Sequence, residues 1–209
     1  MYIMIEVHNI TKQINDTIVL ERVSFTIPGS SVFCIHGEKG SGKSSLMRIL
    51  TGVYRPDSGT VVVDDRPVFD NPVIKNRLFF VPDDPYMFPG RNVAGMTAYY
   101  RDIFGRFDRE LFDTLASEYG IKASDRISSM TSGRLKSVSL VLAMSLRPDY
   151  IFIDDPVTGT GEDDRQAISQ MIGSARENIG AAVIYSICSR DLGAYPADSE
   201  YMLVKPEQI

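Results

Sequence analysis

Eight residues near the start of the chain combine glycines, a lysine and serines in a spacing that suits phosphate binding. They are Gly37, Glu38, Lys39, Gly40, Ser41, Gly42, Lys43 and Ser44, and they match the pattern G-x-x-x-x-G-K-[ST]. The glycines let backbone N–H groups point at a polyphosphate, Lys43 would reach the outer phosphates, and the Ser44 hydroxyl would ligate Mg²⁺. Together with Ser45, these residues are predicted to bind a nucleoside triphosphate.

This phosphate loop (residues 37–44) lies between the two kinds of element that such a loop requires. The apolar run Ser31–His36 predicts a strand, and the helical spacing of Ser45–Leu50 predicts a helix. The N-terminus of that helix would add its partial positive charge to the site. This context disfavours the alternative, a chance glycine-rich turn. We interpret His36 as a strand residue rather than a catalyst.

The second signal after the phosphate loop is an acidic residue that follows an apolar strand later in the chain. Asp154 comes directly after Ile151-Phe152-Ile153, and the carboxyl end of such a strand lies beside the phosphate loop in this architecture. A carboxylate there can hold magnesium through water. The alternative is a helix-capping Asp before Pro156. The upstream phosphate loop favours the metal role.

Composition sets limits on the class of protein. The 209 residues fit one domain, and the net charge of −5 argues against a nucleic-acid partner, which needs a basic face. The two cysteines, Cys34 and Cys188, are expected to be free thiols in a reducing cytosol. No apolar run approaches the ~20 residues needed to span a bilayer, so any work at a membrane would need a partner that holds the chain there.

The strand and helix patterns predict an α/β fold with a mainly parallel sheet. An antiparallel hairpin is predicted from runs at Tyr2–Thr11 and Ile18–Ile27. The remaining predicted elements are strands at Thr60–Val63, Leu78–Val81, Tyr150–Ile153, Ala182–Ser186 and Tyr201–Val204, and helices at Val93–Tyr119, from Ser132, and at Asp163–Asn178. We expect a single domain over residues 1–209, with a parallel core, an antiparallel lobe and a helical insertion at about 86–132.

The order of these motifs resembles the ATP-binding subunit of ABC transporters over essentially the whole chain. The opening stretch Ile5–Lys12 and the link Leu50–Val61 look like specific blocks of that family, and Phe107–Phe112 resembles its short exporter-type members. The resemblance implies a P-loop NTPase core that binds ATP and Mg²⁺ in a dimer sandwich, formed by two copies or with a paralogous ATPase. It also implies a membrane-spanning partner and a peripheral position on the cytoplasmic face of the cell membrane. Residues 86–89 would dock that partner, or would simply pack the insertion.

Several nucleotide-contacting positions depart from the family pattern. Ile14 replaces the aromatic ring that stacks on adenine, and Asp83 occupies the slot of the glutamine that contacts magnesium and the membrane subunit. The signature loop reads Met130-Thr131-Ser132-Gly133-Arg134. By resemblance, Thr131, Ser132 and Gly133 would present donors to a γ-phosphate across the dimer, and Arg134 would add a charge there.

The positions that the family uses for hydrolysis are altered more severely. Asp155 stands where the family has the glutamate that polarises the attacking water, and Cys188 aligns with the histidine that contacts the γ-phosphate. A shorter carboxylate misplaced by about an ångström costs on the order of a hundredfold in rate, and a neutral thiol is a weak donor. We therefore expect ATP binding with slow hydrolysis.

Two other functions are alternatives to that of a transporter subunit. A non-pumping, ATP-dependent switch acting on a soluble protein partner would use the same binding residues and would need no hydrolysis. A small-molecule kinase is disfavoured, because the segments Thr51–Val61 and Met130–Lys136 would have no role in it.

Overall fold

The chain begins with a long hairpin because Asn15 and Asp16 form a tight turn. Both adopt positive φ, 47° and 62°, the conformation that lets a two-residue turn follow the twist of paired strands. Strand β1 (Met4–Ile14) pairs antiparallel with β2 (Thr17–Pro28), which confirms the predicted hairpin. The computed structural model describes residues 4–207, so the predicted strand start at Tyr2 lies outside the described residues.

Two further strands complete an antiparallel sheet around β1. Strand β4 (Ser58–Val63) pairs with the other edge of β1, and β5 (Arg66–Pro67) pairs with β4. The spatial order is β2-β1-β4-β5. One face of this sheet is apolar and packs against helix α1 (Lys43–Leu50), so the antiparallel lobe covers the helix that follows the phosphate loop.

A second sheet is parallel throughout and forms the centre of the molecule. Its strands are β3 (Val32–Gly37), β6 (Leu78–Val81), β7 (Tyr150–Asp154), β8 (Ala182–Cys188) and β9 (Ser199–Met202), in the order β6-β7-β8-β3-β9. Every residue of β7 is buried, as expected of a strand covered on both faces. The last strand begins two residues before the predicted Tyr201 and ends at Met202.

Helices cover both faces of the parallel sheet. With α1 on one face, the remaining helices are α2 (Pro72–Lys75), α3 (Val93–Phe104), α4 (Arg109–Glu118), α5 (Ser132–Met144) and α6 (Glu162–Ile179). The side chains of α3 to α6 share one apolar cluster with the second face of the sheet. Between residues 4 and 207, no helix combines the length and apolar character needed to cross a membrane.

The helical spacing predicted over Val93–Tyr119 is divided between two helices. Gly105 adopts φ 60° and ends α3, the left-handed conformation that commonly terminates a helix. Asp108 then caps α4 by accepting a hydrogen bond from the Leu111 N–H at 2.9 Å. This glycine, followed three residues later by a capping aspartate, was a readable stop-and-start signal.

Arg77, between α2 and β6, ties the antiparallel sheet to the parallel one. Its guanidinium forms an ion pair at 2.8 Å with Asp64, in the turn between β4 and β5, and a second ion pair with Asp149, just before β7. The two sheets therefore share a charged link at the end of the molecule from which β6 and β7 begin. The architecture as a whole is the predicted α/β type, with a P-loop NTPase core, a parallel sheet and an antiparallel lobe.

Candidate nucleotide-binding site

The phosphate loop joins β3 to α1 through a backbone that only glycine adopts readily. Gly40 has φ 82° and Gly42 has φ 94°, both in the left-handed region. Successive backbone amides in such a loop form a concavity that binds anions. Gly42 is also the N-cap of α1 and offers no side-chain hydrogen bond, so the amides of the first turn are left for another acceptor.

Close packing fixes the phosphate loop against its neighbours on two sides. A Cβ atom on Gly42 would lie 2.4 Å from the Val19 carbonyl oxygen, and one on Gly37 would lie 2.4 Å from that of Leu203. The phosphate loop therefore packs closely between β2 and the segment after β9. Ile14, half-buried at the end of β1, belongs to the same hairpin whose β2 strand contacts the loop.

The Lys43 side chain folds back over the start of the loop. Its ammonium donates to the carbonyl oxygens of Gly37 at 2.8 Å and Glu38 at 2.9 Å, and it lies 3.5 Å from the Ser41 hydroxyl. These are neutral acceptors, so a phosphate would compete with them by offering a full negative charge. Lys43 is thus placed at the loop with a group that an anion can recruit.

Asp154 carries a carboxylate oxygen that has no partner in the described chain. Its side chain is 2% exposed, and Oδ1 accepts a hydrogen bond from the Ser186 hydroxyl at 2.6 Å. Oδ2 is buried and makes no hydrogen bond with any residue described. An unsatisfied buried carboxylate oxygen is costly, and a cation or its bound water would satisfy it.

Magnesium suits this arrangement because it takes few protein ligands and keeps water and phosphate oxygens around it. Among residues 4–207 no group of three or more His, Cys, Asp or Glu side chains forms a metal cage. Ser44 lies on the first turn of α1. Ser186 was not predicted from the sequence, since its role follows from its register opposite Asp154 across two parallel strands.

Asp83 lies just beyond the end of β6, where its carboxylate meets a lysine of α5. Oδ1 accepts from the Lys136 ammonium at 2.8 Å, and Lys136 is only 1% exposed. The acid predicted as a magnesium ligand is thus placed in an ion pair. Lys136 was missed in the sequence, although a lysine among the apolar positions of a helix was an available signal.

Asp155 closes the loop that follows β7. The residue adopts φ 44°; Oδ1 accepts from the Thr158 N–H at 3.0 Å, and Oδ2 accepts from the Thr158 hydroxyl at 2.8 Å. Its own N–H donates to the Ser186 carbonyl at 3.0 Å. Both oxygens of the predicted catalytic carboxylate are therefore engaged by one neighbouring residue.

The signature residues pack on the loop after β7. Thr131 caps α5 by accepting from the Arg134 N–H at 3.2 Å, and the Gly133 N–H donates to the Gly159 carbonyl at 3.1 Å. Ser132 is exposed at the helix start. Within the part of the chain described here, no hydrogen bond joins these residues to the phosphate loop.

The Arg134 side chain reaches the C-terminal end of α4, and the expectation that it adds a charge at the γ-phosphate of a partner stays a prediction. Its guanidinium donates to the carbonyl oxygens of Tyr119 at 3.0 Å and Gly120 at 2.6 Å. These carbonyls belong to the C-terminal end of α4, where a cation also compensates the helix dipole. Arg134 thus stabilises the end of a helix.

Cys188 ends β8 directly opposite Gly37 of β3, so the carboxyl ends of neighbouring strands bring it to the phosphate loop. His36 is a buried β3 residue, as interpreted, and its Nδ1 lies 3.2 Å from the Ser189 hydroxyl.

Tyr195 supports the loop after β7, because its hydroxyl donates a hydrogen bond to the Pro156 carbonyl at 3.0 Å. Burial raises the pKa of Tyr195 to about 12, so this donor stays protonated at neutral pH.

The phosphate loop, Asp154 and Cys188 therefore meet at the carboxyl edge of β3, β7 and β8. Asp83 lies beyond the end of β6 and pairs with Lys136, and Asp155 directly follows β7 and is engaged by Thr158. Thr131, Ser132 and Gly133 form a separate group at the start of α5.

Comparison with known proteins agrees with this geometry. Residues 20–158 match the family described as ABC transporter. The ABC transporter ATP-binding protein YtrB of Bacillus subtilis is 28% identical over 169 residues, which are 81% of this chain and 58% of that protein. The Fe(3+) ions import ATP-binding protein FbpC of Yersinia pestis is 31% identical over 193 residues, which are 86% of this chain and 54% of that protein. The chain thus spans little more than half the length of these relatives.

Solved structures show the same fold. An ATP-binding subunit of an ABC transporter superposes with a TM-score of 0.82 at 19% identity, over 96% of this chain and 85% of that one. A bacterial Atm1-family ABC exporter with ATP bound gives 0.80 at 20% identity, over 99% of this chain and 39% of that one. The family match covers well over half of the chain and includes both the phosphate loop and Asp154. The chain therefore belongs to the ABC transporter family.

Proposed function

We propose that this chain binds Mg-ATP at the phosphate loop and couples that binding to the movement of a membrane-spanning transporter subunit. The observation that carries the proposal is the phosphate loop itself. Two of its glycines have positive φ, a conformation in which successive amides can form an anion-binding concavity, and Lys43 lies across the start of the loop. The nearby Asp154 oxygen without a partner supports a metal beside the phosphates.

In this proposal Ser44 and Asp154 hold the magnesium ion, and the ion supplies neutralising charge to the phosphates. Residues 37–45 surround the phosphate chain with backbone donors and the Lys43 ammonium. Ile14, at the tip side of the hairpin, offers an apolar surface to the adenine. The net charge of the chain, −5, gives no general attraction for anions, so the local field of the loop and of α1 carries the binding.

Hydrolysis is proposed to be slow. The carboxylate of Asp155 would have to leave Thr158 before it could orient a water molecule, because both of its oxygens accept hydrogen bonds from that residue. Cys188 offers a weak donor where a stronger one would contact the γ-phosphate. Both groups act mainly on the transition state, so their weakness affects turnover more than binding.

The signature residues Thr131, Ser132 and Gly133 are proposed to face the nucleotide of a second subunit. Ser132 is exposed at the N-terminus of α5, where its hydroxyl and the helix dipole suit a phosphate. The partner is a second copy of this chain or a paralogous ATPase. The domain is proposed to be a single unit over residues 1–209, with residues 86–132 as its helical insertion.

The membrane-spanning subunit is proposed to dock on the aromatic cluster at the start of that insertion. Tyr86 is 79% exposed, and its ring contacts Phe88 edge-on at 5.8 Å; Phe88 in turn contacts Tyr99 at 4.8 Å. Exposed aromatic rings are typical of binding surfaces. Through that partner the chain would lie on the cytoplasmic face of the cell membrane.

The test of nucleotide binding is Lys43→Ala, measured by isothermal titration with ATP and Mg²⁺. Loss of one charge-assisted contact predicts a decrease in affinity of about 10- to 100-fold. Lys122→Ala is the control, since Lys122 is an exposed lysine outside the phosphate loop, and the affinity of this variant should stay within about twofold of the wild type. Equal affinities for the wild type and Lys43→Ala, or no binding by the wild type, would contradict the proposal.

A second candidate function is an ATP-dependent switch that acts on a soluble partner without pumping. The engagement of both Asp155 oxygens favours it, because a switch needs binding and not turnover. Affinity purification from the native host separates the two functions. Recovery of a hydrophobic multi-span protein supports the transporter, and recovery of a soluble protein alone supports the switch.

A further inference from the structure

Lys136 is a buried cation whose hydrogen-bonding capacity is fully used. The residue is 1% exposed, and an ammonium group has three N–H donors. They reach Asp83 Oδ1 at 2.8 Å, the Asp155 carbonyl at 2.6 Å and the Thr158 carbonyl at 2.6 Å. Burying a charge is costly unless it is paired and hydrogen-bonded, so this site is built around Lys136.

The three acceptors come from two segments that meet at α5. Asp83 follows β6, while Asp155 and Thr158 lie in the loop after β7. One turn earlier on α5, the Gly133 N–H donates to the Gly159 carbonyl at 3.1 Å, so the helix is joined to the same loop at two levels. A Cβ on Gly133 would lie 3.0 Å from the Thr160 Cα, which shows how closely the backbones approach.

Asp83 supplies the only carboxylate that reaches Lys136 within residues 4–207. If Asp83 turned toward a magnesium ion, the buried ammonium would keep only carbonyl partners. Asp154, by contrast, has a carboxylate oxygen with no partner among those residues. A metal ion could therefore bind at Asp154 without breaking a hydrogen bond elsewhere. Recruiting Asp83 to the metal would instead leave Lys136 as an uncompensated charge.

We propose that Lys136 is a positioning residue that keeps Asp83 in an ion pair with α5 and away from the magnesium ion. The same ammonium holds the backbone of the loop that carries Asp155. The metal is then bound by Asp154 and Ser44 without Asp83. This inference rests on the proposed binding of Mg-ATP, and it changes the role of the acid that follows β6 from metal ligand to ion-pair partner.

The first experiment measures metal affinity, with Mn²⁺ as the probe. Electron paramagnetic resonance would follow Mn²⁺ titrated into the protein with a non-hydrolysable ATP analogue. Asp83→Asn should change the apparent Mn²⁺ affinity by less than about twofold, and Asp154→Asn should lower it about tenfold or more. A decrease in Asp83→Asn as large as that in Asp154→Asn would overturn the proposal.

The second experiment needs no nucleotide and tests the ion pair itself by thermal denaturation. Asp83→Asn should lower the melting temperature by about 3–8 °C, since it removes the charge that compensates Lys136. In a Lys136→Met background the same substitution should change the melting temperature by less than about 1 °C. Equal decreases in both backgrounds would show that Asp83 acts independently of Lys136. Asp84→Asn, an exposed neighbouring carboxylate, is the matched control and should leave both measurements unchanged.

The two experiments also separate this inference from the proposed function. If the wild-type protein bound neither the ATP analogue nor Mn²⁺, the proposed function would fail, while the thermal measurements would still decide whether Lys136 holds Asp83. If the metal binds and Asp83→Asn weakens it strongly, the proposed function stands and the positioning role of Lys136 fails.

Discussion

The phosphate loop and the loop after β7 leave the same edge of one sheet, yet their polar groups are used in opposite ways. In the phosphate loop, the first turn of α1 has no side-chain cap, and Lys43 contacts neutral oxygens of Gly37, Glu38 and Ser41. In the loop after β7, both oxygens of Asp155 accept hydrogen bonds from Thr158. One region leaves its donors for a ligand, and the other satisfies its groups within the chain.

The difference follows from the residues that each loop contains. Glycines have no side chain that could accept a hydrogen bond from the inward-pointing amides of the loop. An anion is therefore the acceptor that suits these amides. Asp155 lies three residues before a threonine, and an aspartate in the left-handed region readily accepts hydrogen bonds from the residues that follow it. The comparison suggests that nucleotide binding and nucleotide cleavage can be lost separately. Four predictions test this contrast.

The largest effect is expected when a methyl group is added to the phosphate loop. Gly42→Ala combines a positive φ with a Cβ only 2.4 Å from the Val19 carbonyl oxygen, so it should lower the free energy of unfolding by about 3–4 kcal/mol. Gly40→Ala has the same kind of φ and no atom within 4 Å of the added Cβ; it should cost about 1–2 kcal/mol. Urea unfolding measures both. Equal losses would mean that the contact with β2 does not constrain the loop.

A longer carboxylate in the loop after β7 should release the group that Thr158 engages in the wild type. In Asp155→Glu the side chain is too long to keep both hydrogen bonds to Thr158, and the freed group can reach an attacking water. The steady-state rate of phosphate release should increase about tenfold or more. Asp155→Asn, the control, should be no faster than the wild type. An unchanged or lower rate in Asp155→Glu would show that something other than this carboxylate limits hydrolysis.

Arg134 tests whether the signature loop contributes charge or only structure. Arg134→Gln removes two hydrogen bonds to the end of α4 and should lower the melting temperature by about 2–4 °C while ATP affinity stays the same. Arg109→Gln disrupts an exposed pair with Asp113 at 2.8 Å and should change the melting temperature by less than about 2 °C. A fall in ATP affinity for Arg134→Gln would place its charge at the phosphates after all.

The smallest effect concerns the hydroxyl that supports the loop after β7. Burial raises the pKa of Tyr195 to about 12, against about 10 in an unfolded chain. The folded state therefore binds more protons than the unfolded state between these values, so this contribution is complete below pH 10 and is lost as the pH rises toward 12. Tyr195→Phe should cost about 1 kcal/mol at pH 7 and should make the alkaline decrease in stability shallower. Parallel unfolding curves for both proteins from pH 9 to 11 would argue against this role.

The elements that the sequence predicted well are those whose cause is local. The eight residues of the phosphate loop carry their own geometry, and the Asn15-Asp16 turn specifies the hairpin that contains it. The parallel direction of the buried strands follows from their apolar runs and from the helices between them. In these places, side-chain type and short spacing are sufficient.

What the sequence could not supply depends on contacts between distant segments. Lys136 and Asp83 are 53 positions apart, and nothing near either residue indicates that they pair. Ser186 contacts Asp154 only because two strands share a register. Arg134 binds the carbonyl oxygens of Tyr119 and Gly120, which lie 15 and 14 positions earlier in the chain, just after α4. Each of these polar contacts is decided by tertiary packing.

Arg77 has a consequence for how such a molecule can move. One guanidinium binds Asp64 in the antiparallel lobe and Asp149 ahead of β7, so moving the lobe against the core would break the ion pair with Asp64. The antiparallel lobe and the parallel core are thus expected to move together as one rigid body.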